Sequence, residues 1–341
     1  MDGRSMNIEV ATVGIIANPL AGTDVRRLSS PAGHTSNAAK IAIVRRIASA
    51  ALEAGARTVL IAADASGLGD RAVTLIGPGA VLLDEPATGT RHDSVAAARR
   101  MWKRGCAVVV VVGGDGTCRD VAIGWPGAPV IAVSTGTNNV FPQSLDPVAA
   151  GTAAGLLAAG RVPIDAVCAL AKRIVVHVGD DEHVALVDVA VLDGNRVGSR
   201  AVVDAGRIRA LVAAISSPVA AGMSSIAGRV APLGPDDPDG VVVHLGGVGR
   251  RVRVPLVPGS FATVVLNKVE RLQRGAIVRF SGPAVLAFDG ERDVVAGAGT
   301  TIEVTIDGGG PLRIDVERVL RLAVERGAFD VADVGEGSGG D

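Results

Sequence analysis

Residues Gly113, Gly114, Asp115, Gly116 and Thr117 follow directly on the apolar run Cys106–Val112, CAVVVVV. A run apolar on both faces reads as a central parallel strand, and ligands bind outside the carboxyl ends of such strands. Glycines there let backbone N–H groups approach a ligand closely. A helix starting at about Thr117 would turn its positive end to the same space. Together these features suit a phosphate. Asp115 repels a phosphate, so its own work must differ: accepting a proton from an attacking hydroxyl, or holding a metal that bridges phosphates. The competing reading is a tight turn with Asp115 as a helix cap, and GGDG by itself leaves both open.

Two further strand ends carry similar residues. Strand Pro129–Val133 runs into STGTNNVFP (134–142), where Thr135, Gly136, Thr137 and Asn138 are small, hydroxyl-bearing or amide residues. Strand Thr12–Ala17 runs into Asn18-Pro19 and Gly22, followed by Asp24, Arg26 and Arg27, whose two guanidinium groups suit a phosphate clamp. Each loop has a plain alternative: an asparagine in the left-handed region for the first, a solvated charged turn for the second. Two adjacent strand ends of this kind are hard to attribute to chance.

The elements that must position these loops alternate. Strands at 12–17, 57–62, 106–112 and 129–133 are separated by helical patterns at 38–54, at 94–104 with Asp93 as cap, and from Thr117. Such alternation implies an open parallel sheet with right-handed crossovers. Past residue 150 the rhythm changes. A helix over 149–160 is followed by short Val-rich segments at 174–178, 185–192, 241–245, 262–266, 285–288 and 301–306, the spacing of an antiparallel β domain. The one helix expected there falls within 204–233, which include GRIRALVAAI. The expected organisation is an α/β nucleotide-binding domain over 8–148 and a β-rich domain over 149–328 that completes the cleft. A Gly- and acid-rich tail, 329–341, reads as disordered.

Composition removes several function classes. The 341 residues carry a net charge of −1, 48% apolar residues, 2% aromatics and no tyrosine. There is no basic surplus for nucleic acid or an anionic membrane. Cys106, Cys118 and Cys168 form no CxxC pair and the five histidines are scattered, so neither a metal-ligand set nor a disulfide framework is expected. Cys118, near a helix N-terminus, is a candidate for a lowered pKa, with a packed small residue as the alternative. The N-terminus shows no apolar signal core and no stretch reaches ~20 apolar residues, so the expectation is a cytoplasmic protein without stable membrane association.

GGDGT at 113–117, the NPxAG turn and GTNN at 136–139 resemble the NAD kinase/diacylglycerol kinase superfamily. NPLAGTDVRRL and NAAKIAIVRRI are similar to its acetoin-catabolism protein X branch, a predicted ATP–NAD kinase branch. ALVDVAVLDGNRVGSRAV (185–202) and GMSSIAGRVAP (222–232) resemble the NAD kinase β domain, and LAFDGERDV (286–294) the DGE element of both kinase types. The resemblance implies a kinase with its active site between sheet and β domain, and the possibility of a homo-oligomer. In it Asp115 is the general base. Asn18, Gly113, Gly114, Gly116, Thr117, Thr135, Gly136, Thr137 and Asn138 hold nucleotide. Asp24, Arg26, Arg27, Asp188, Ser225, Asp289 and Glu291 lie toward the substrate. For Asp289 a DG hairpin turn is the competing reading. The cofactors implied are ATP and Mg²⁺, with polyphosphate as another donor and NAD as a possible substrate. Val187-Asp188 stands where NAD kinases carry an Asn-Glu pair, and Ser224-Ser225 replaces a tyrosine-containing segment. Both departures fall where NAD would be recognised, so the acceptor stays open. The alternatives are a non-catalytic nucleotide-binding regulator of acetoin catabolism and a lipid kinase of diacylglycerol type.

Overall fold

Six residues, TVGIIA, open the first sheet as β1 (Thr12–Ala17), buried throughout. β2 (Thr58–Ala62), β3 (Ala80–Leu83), β4 (Val108–Gly113) and β5 (Pro129–Ser134) join it in parallel, in the order β3-β2-β1-β4-β5. The computed structural model describes residues 11–21, 35–84, 87–136, 138–194, 205–257, 260–290 and 292–330. Helices α1 (Asn37–Glu53), α2 (Leu68–Ile76), α3 (His92–Lys103), α4 (Asp115–Gly124) and α5 (Pro147–Ala158) connect and cover these strands. α1, α2 and α5 pack on one face, α3 and α4 on the other. Strands buried on both faces explain the unbroken valines of β4.

Two starts differ from expectation. α4 begins at Asp115 itself, two residues before Thr117. α3 begins at His92, and Asp93 does not cap it from outside. Its carboxylate instead accepts the N–H groups of Thr88 and Gly89, at 2.8 and 2.9 Å, and fastens the loop leading into the helix.

β6 (Cys168–Leu170) lies at the far edge of the first sheet. The second lobe is antiparallel and contains β7 (Arg173–Val178), β8 (Asp181–Ala185), β9 (Asp188–Asp193), β10 (Ile208–Ala213), the short α6 (Ser224–Gly228), β11 (Gly240–Val257), β12 (Ser260–Leu272), β13 (Ile277–Ser281), β14 (Ala284–Phe288), β15 (Arg292–Ala296) and β16 (Thr301–Asp307). A six-stranded sheet, β12-β11-β10-β9-β14-β15, faces a four-stranded one, β13-β16-β7-β8, across a shared apolar core. GRIRALVAAI supplies strand β10, and the α-helix of that region among the described residues is the short α6. Ala210 and Val212 enter one core while Leu211 and Ala213 enter the other. Burial on both faces overrides the helix preference of Ala and Leu.

The chain then returns to the first sheet. β17 (Leu312–Ile314) pairs in parallel with β5 and antiparallel with β6, and α7 (Val316–Glu325) packs against α5. α5 itself lies on α1, where a Cβ at Gly151 or Gly155 would come within 2.2 Å of Ile47 O or 2.3 Å of Ala51 O. A division at 148/149 would therefore cut the first turn of a helix that packs with the first lobe. The tail reading falls largely on 331–341, outside the described residues.

Candidate active site

Three strand ends and one hairpin turn supply the site. At the end of β1, Asn18 donates its N–H to Val112 O at 3.1 Å, which brings the first loop beside the end of β4. Its side-chain oxygen accepts the N–H of Leu20 at 2.9 Å, an Asx turn. Its amide nitrogen donates to Thr117 Oγ1 at 3.0 Å. Lys40, fully buried, reaches from α1 to donate to Pro19 O at 2.5 Å. Sequence reasoning passed over Lys40, although it stands on the stripe shared by Val44, Ile47 and Ala51, where a cation needs a reason.

At the end of β4 the glycines make room for the loop's own contacts. A Cβ on Gly113 would stand 2.7 Å from Thr117 Oγ1, and one on Gly114 3.0 Å from Asn139 Oδ1. Asn139 donates to Ser134 Oγ at 2.8 Å, joining the β4 and β5 loops, whereas its neighbour Asn138 was the residue singled out from sequence. Thr135 donates its N–H to Gly113 O at 3.3 Å. Its carbonyl accepts Thr35 Oγ1 at 2.8 Å, and its own hydroxyl is buried without a partner among the described residues. Ser134 Oγ donates to Gly136 O at 2.9 Å and so shapes the turn. Asp24, Arg26, Arg27, Thr137 and Glu291 lie outside the described residues.

Asp115, 8% exposed, opens α4 and points into the β5 loop. Its carboxylate accepts the N–H of Phe141 at 2.7 Å and of Val140 at 3.0 Å. Burial pushes its pKa well above the ordinary carboxylate value, and the charge of Asp289 adds to the rise. The two amides offset part of it, and Asp188 raises it further. Cys118 is fully buried, and its thiol is pushed up by burial and by the nearby carboxylates, the reverse of a helix-terminus thiolate.

Asp289 comes from the second lobe, where its DG pair forms the hairpin turn between β14 and β15. Asp289 and Gly290 have φ of 50° and 75°, the two positive values of a tight hairpin turn between β14 and β15. The same aspartate turns its carboxylate onto the β8–β9 link, accepting the N–H of Val187 at 2.8 Å, Leu186 at 3.1 Å and Asp188 at 3.4 Å. Arg119, one helical turn beyond Asp115, crosses to it from the first lobe. Its Nη1 donates to Phe288 O at 3.1 Å and lies 3.5 Å from the Asp289 carboxylate. Its Nε faces Asp120 at 3.3 Å, and Asp120 also faces Arg91 at 3.6 Å. Burial raises the Asp289 pKa, and Arg119 is the strongest force lowering it. Arg119 was not read from the sequence; its position four residues after Asp115 was the available signal.

Asp188 is buried at the head of β9 and accepts a hydrogen bond from Ser224 Oγ. The Ser225 hydroxyl turns elsewhere and donates to Gly222 O at 2.6 Å. The structure thus gathers Asn18, Gly113, Gly114, Asp115, Thr117 and Thr135 at one end of the first sheet, with Asp289 and Asp188 coupled to Asp115 from the second lobe. No group of three or more His, Cys, Asp or Glu among the described residues is arranged to hold a metal ion.

Residues 13–162 match the ATP-NAD kinase N-terminal domain, and residues 172–308 match the Acetoin catabolism protein X C-terminal domain. The chain is 33% identical over 329 residues to Acetoin catabolism protein X of Cupriavidus necator, covering 91% of this chain and 92% of that protein. Its fold is shared with yeast NADH kinase, solved in complex with NADH. That likeness has a TM-score of 0.52 and 15% identity, over 95% of this chain and 89% of the kinase. By sequence along nearly its whole length, the chain belongs to the acetoin catabolism protein X family.

Proposed function

We propose that the protein is an ATP-dependent small-molecule kinase of NAD-kinase type, passing a phosphoryl group to a hydroxyl of NAD or a related cytoplasmic compound. The observation that carries this reading is the environment of Asp115. It is a buried carboxyl at a glycine-lined strand end, made more basic by burial and by Asp289. A base with raised proton affinity is suited to taking the proton of an attacking hydroxyl near neutral pH. The backbone N–H groups at Gly113–Gly116, with the start of α4, would hold the phosphates. Thr117, fixed by Asn18, and Thr135, with its unpartnered hydroxyl, would line the same space. Mg²⁺ ordinarily takes one or two carboxylates together with phosphate oxygens, so Asp115 would be the protein's contribution beside the nucleotide, whereas the Asp289 carboxylate is fully buried against the amides of Leu186, Val187 and Asp188. When bound it would neutralise charge on the transferred group.

The solved NADH complex of the yeast fold relative makes NAD and NADH the first acceptors to test. Purified protein with Mg²⁺ and ATP, or polyphosphate, is incubated with NAD, NADH, diacylglycerol and small polyols, and phosphorylated product is followed by mass spectrometry. A product on a dinucleotide or polyol supports the reading; a product on diacylglycerol alone replaces it with a lipid kinase. One observation favours a nucleotide-binding regulator instead. The Asp115 carboxylate already accepts the Phe141 and Val140 amides, as a structural carboxylate would. Tight ATP binding with no product from any acceptor would establish that second reading.

A further inference from the structure

We propose that Lys40 is a positioning residue: it grips the Pro19 carbonyl and, through the Asn18 amide, leaves the Thr117 hydroxyl to donate to a phosphate. The proposal rests on the reading of the glycine-lined strand end as a phosphate site. Lys40 is fully buried. It stands near the start of α1, where the helix field disfavours a cation. A charge kept there against both burial and that field needs a partner and a use. Its ammonium donates to Pro19 O at 2.5 Å, in the turn after β1. The same end of α1 is anchored at the site, since Thr35, two residues before the helix, donates its hydroxyl to Thr135 O at 2.8 Å.

Direction passes along a chain of bonds. Pro19 O and the Leu20 N–H belong to one trans peptide and point opposite ways. Lys40 holds the oxygen end of that peptide, and the other end donates to Asn18 Oδ1 at 2.9 Å. An N–H needs an acceptor, so the Asn18 amide turns its oxygen to Leu20 and its nitrogen to Thr117. That nitrogen donates to Thr117 Oγ1 at 3.0 Å.

A hydroxyl that accepts there has its own hydrogen to place elsewhere. Among the described residues no group receives it. The hydroxyl belongs to the first turn of α4, beside the backbone N–H groups suited to a phosphate. A phosphate oxygen is the acceptor it lacks. With the amide turned the other way, its oxygen would face Thr117 and consume that hydrogen inside the protein. Lys40 therefore sets the polarity of a contact it does not itself make.

Isothermal titration with ATP·Mg²⁺ and with tripolyphosphate tests this in the wild type, Lys40→Met, Thr117→Val and the double variant. Lys40→Met keeps the apolar stem and removes the donor. Each single variant should bind about tenfold more weakly, the usual effect of losing one hydrogen bond to a charged group. The double variant should bind no more weakly than Thr117→Val alone, because Lys40 acts through that hydroxyl. Thr117→Ser, which restores the hydroxyl, should recover most of the loss. A lysine that only packed α1 would give additive losses or none. Wild-type affinity in Thr117→Val or in a folded Lys40→Met, or additive losses in the double variant, overturns the proposal. If Lys40→Met does not fold, Asn18→Leu breaks the chain one link nearer the hydroxyl, and its cycle with Thr117→Val decides by the same outcomes. A wild type that binds neither ligand overturns the proposal together with the phosphate site. The expected pattern in a protein that phosphorylates nothing upholds the relay and rejects the kinase reading instead. The same pattern with tripolyphosphate alone upholds the relay and rejects a nucleotide donor.

Discussion

Asn18 and Thr117, ninety-nine positions apart, are joined by a 3.0 Å hydrogen bond from the asparagine amide to the threonine hydroxyl. The bond ties the loop after β1 to the first turn of α4. Asn18→Ala removes it together with the acceptor for the Leu20 N–H. The expected loss is about 1–2 kcal/mol of stability in urea unfolding. Weaker ATP binding by isothermal titration should accompany it, because Thr117 is no longer held. Unchanged affinity would mean that this corner does not contact nucleotide.

Asp115→Asn keeps an oxygen for the Phe141 and Val140 amides and removes the charge. Turnover should fall ~10²–10⁴-fold, while ATP affinity stays level or rises slightly. Stability should change with a definite sign. The folded Asp115 carboxyl binds its proton more tightly than the unfolded one. Its stabilising contribution is whole below the unfolded value near ~4 and disappears as pH rises through the folded value. The variant should therefore gain melting temperature over the wild type as pH increases. A variant with wild-type turnover would make Asp115 a helix cap.

The same raised value sets the pH dependence of any turnover. A base must be deprotonated to act, so kcat should climb with pH through an acid limb lying above the ordinary carboxylate range. A rate already flat at pH 5 would place the base elsewhere.

Asp289→Ala strips the acceptor from the N–H groups of Leu186, Val187 and Asp188 and leaves Arg119 facing an apolar side chain. Removing one partner of a buried charge pair costs about 3–5 kcal/mol. The variant should be largely insoluble or melt far below the wild type, and Asp289→Asn should fall between them. Thermal unfolding of the three proteins decides it.

Gly151→Ala exchanges a poor helix former for the best one, worth about 1 kcal/mol in an isolated helix. Here the new methyl would meet Ile47 O at 2.2 Å, so α5 must move off α1. Net destabilisation of about 1–3 kcal/mol is expected in chemical denaturation. A more stable variant would contradict the close approach of these helices.

What the sequence disclosed followed from local chemistry. Valines without polar interruption could form only a strand buried on both faces, and glycines at its end pointed to a ligand or a turn. The change of rhythm past residue 150 reflects a real change from parallel to antiparallel pairing. Short elements were harder to read. β17 is only three residues long, and its place between β5 and β6 depends on a partner paired nearly two hundred positions earlier. GRIRALVAAI misled because alanine and leucine favour a helix until two cores claim alternate residues. Arg119 and Lys40 were not singled out, since burial of a cation depends on carboxylates and carbonyls supplied from elsewhere in the chain. Of Ser224 and Ser225 it is Ser224 that meets Asp188, a distinction that the short helix α6 decides and the sequence does not.

The return of β17 to the first sheet also governs the order in which the molecule can be completed. Between the synthesis of β5 and of its neighbour, the ribosome must add the entire second lobe, a delay of roughly ten seconds or more. During that interval β5 has an open edge able to pair with any passing strand. A fragment ending at 308 would keep that edge permanently and would also lack α7, the helix that packs against α5. The two lobes are therefore successive in sequence but interdependent in assembly, and the nascent first lobe is where a chaperone would find the most to do.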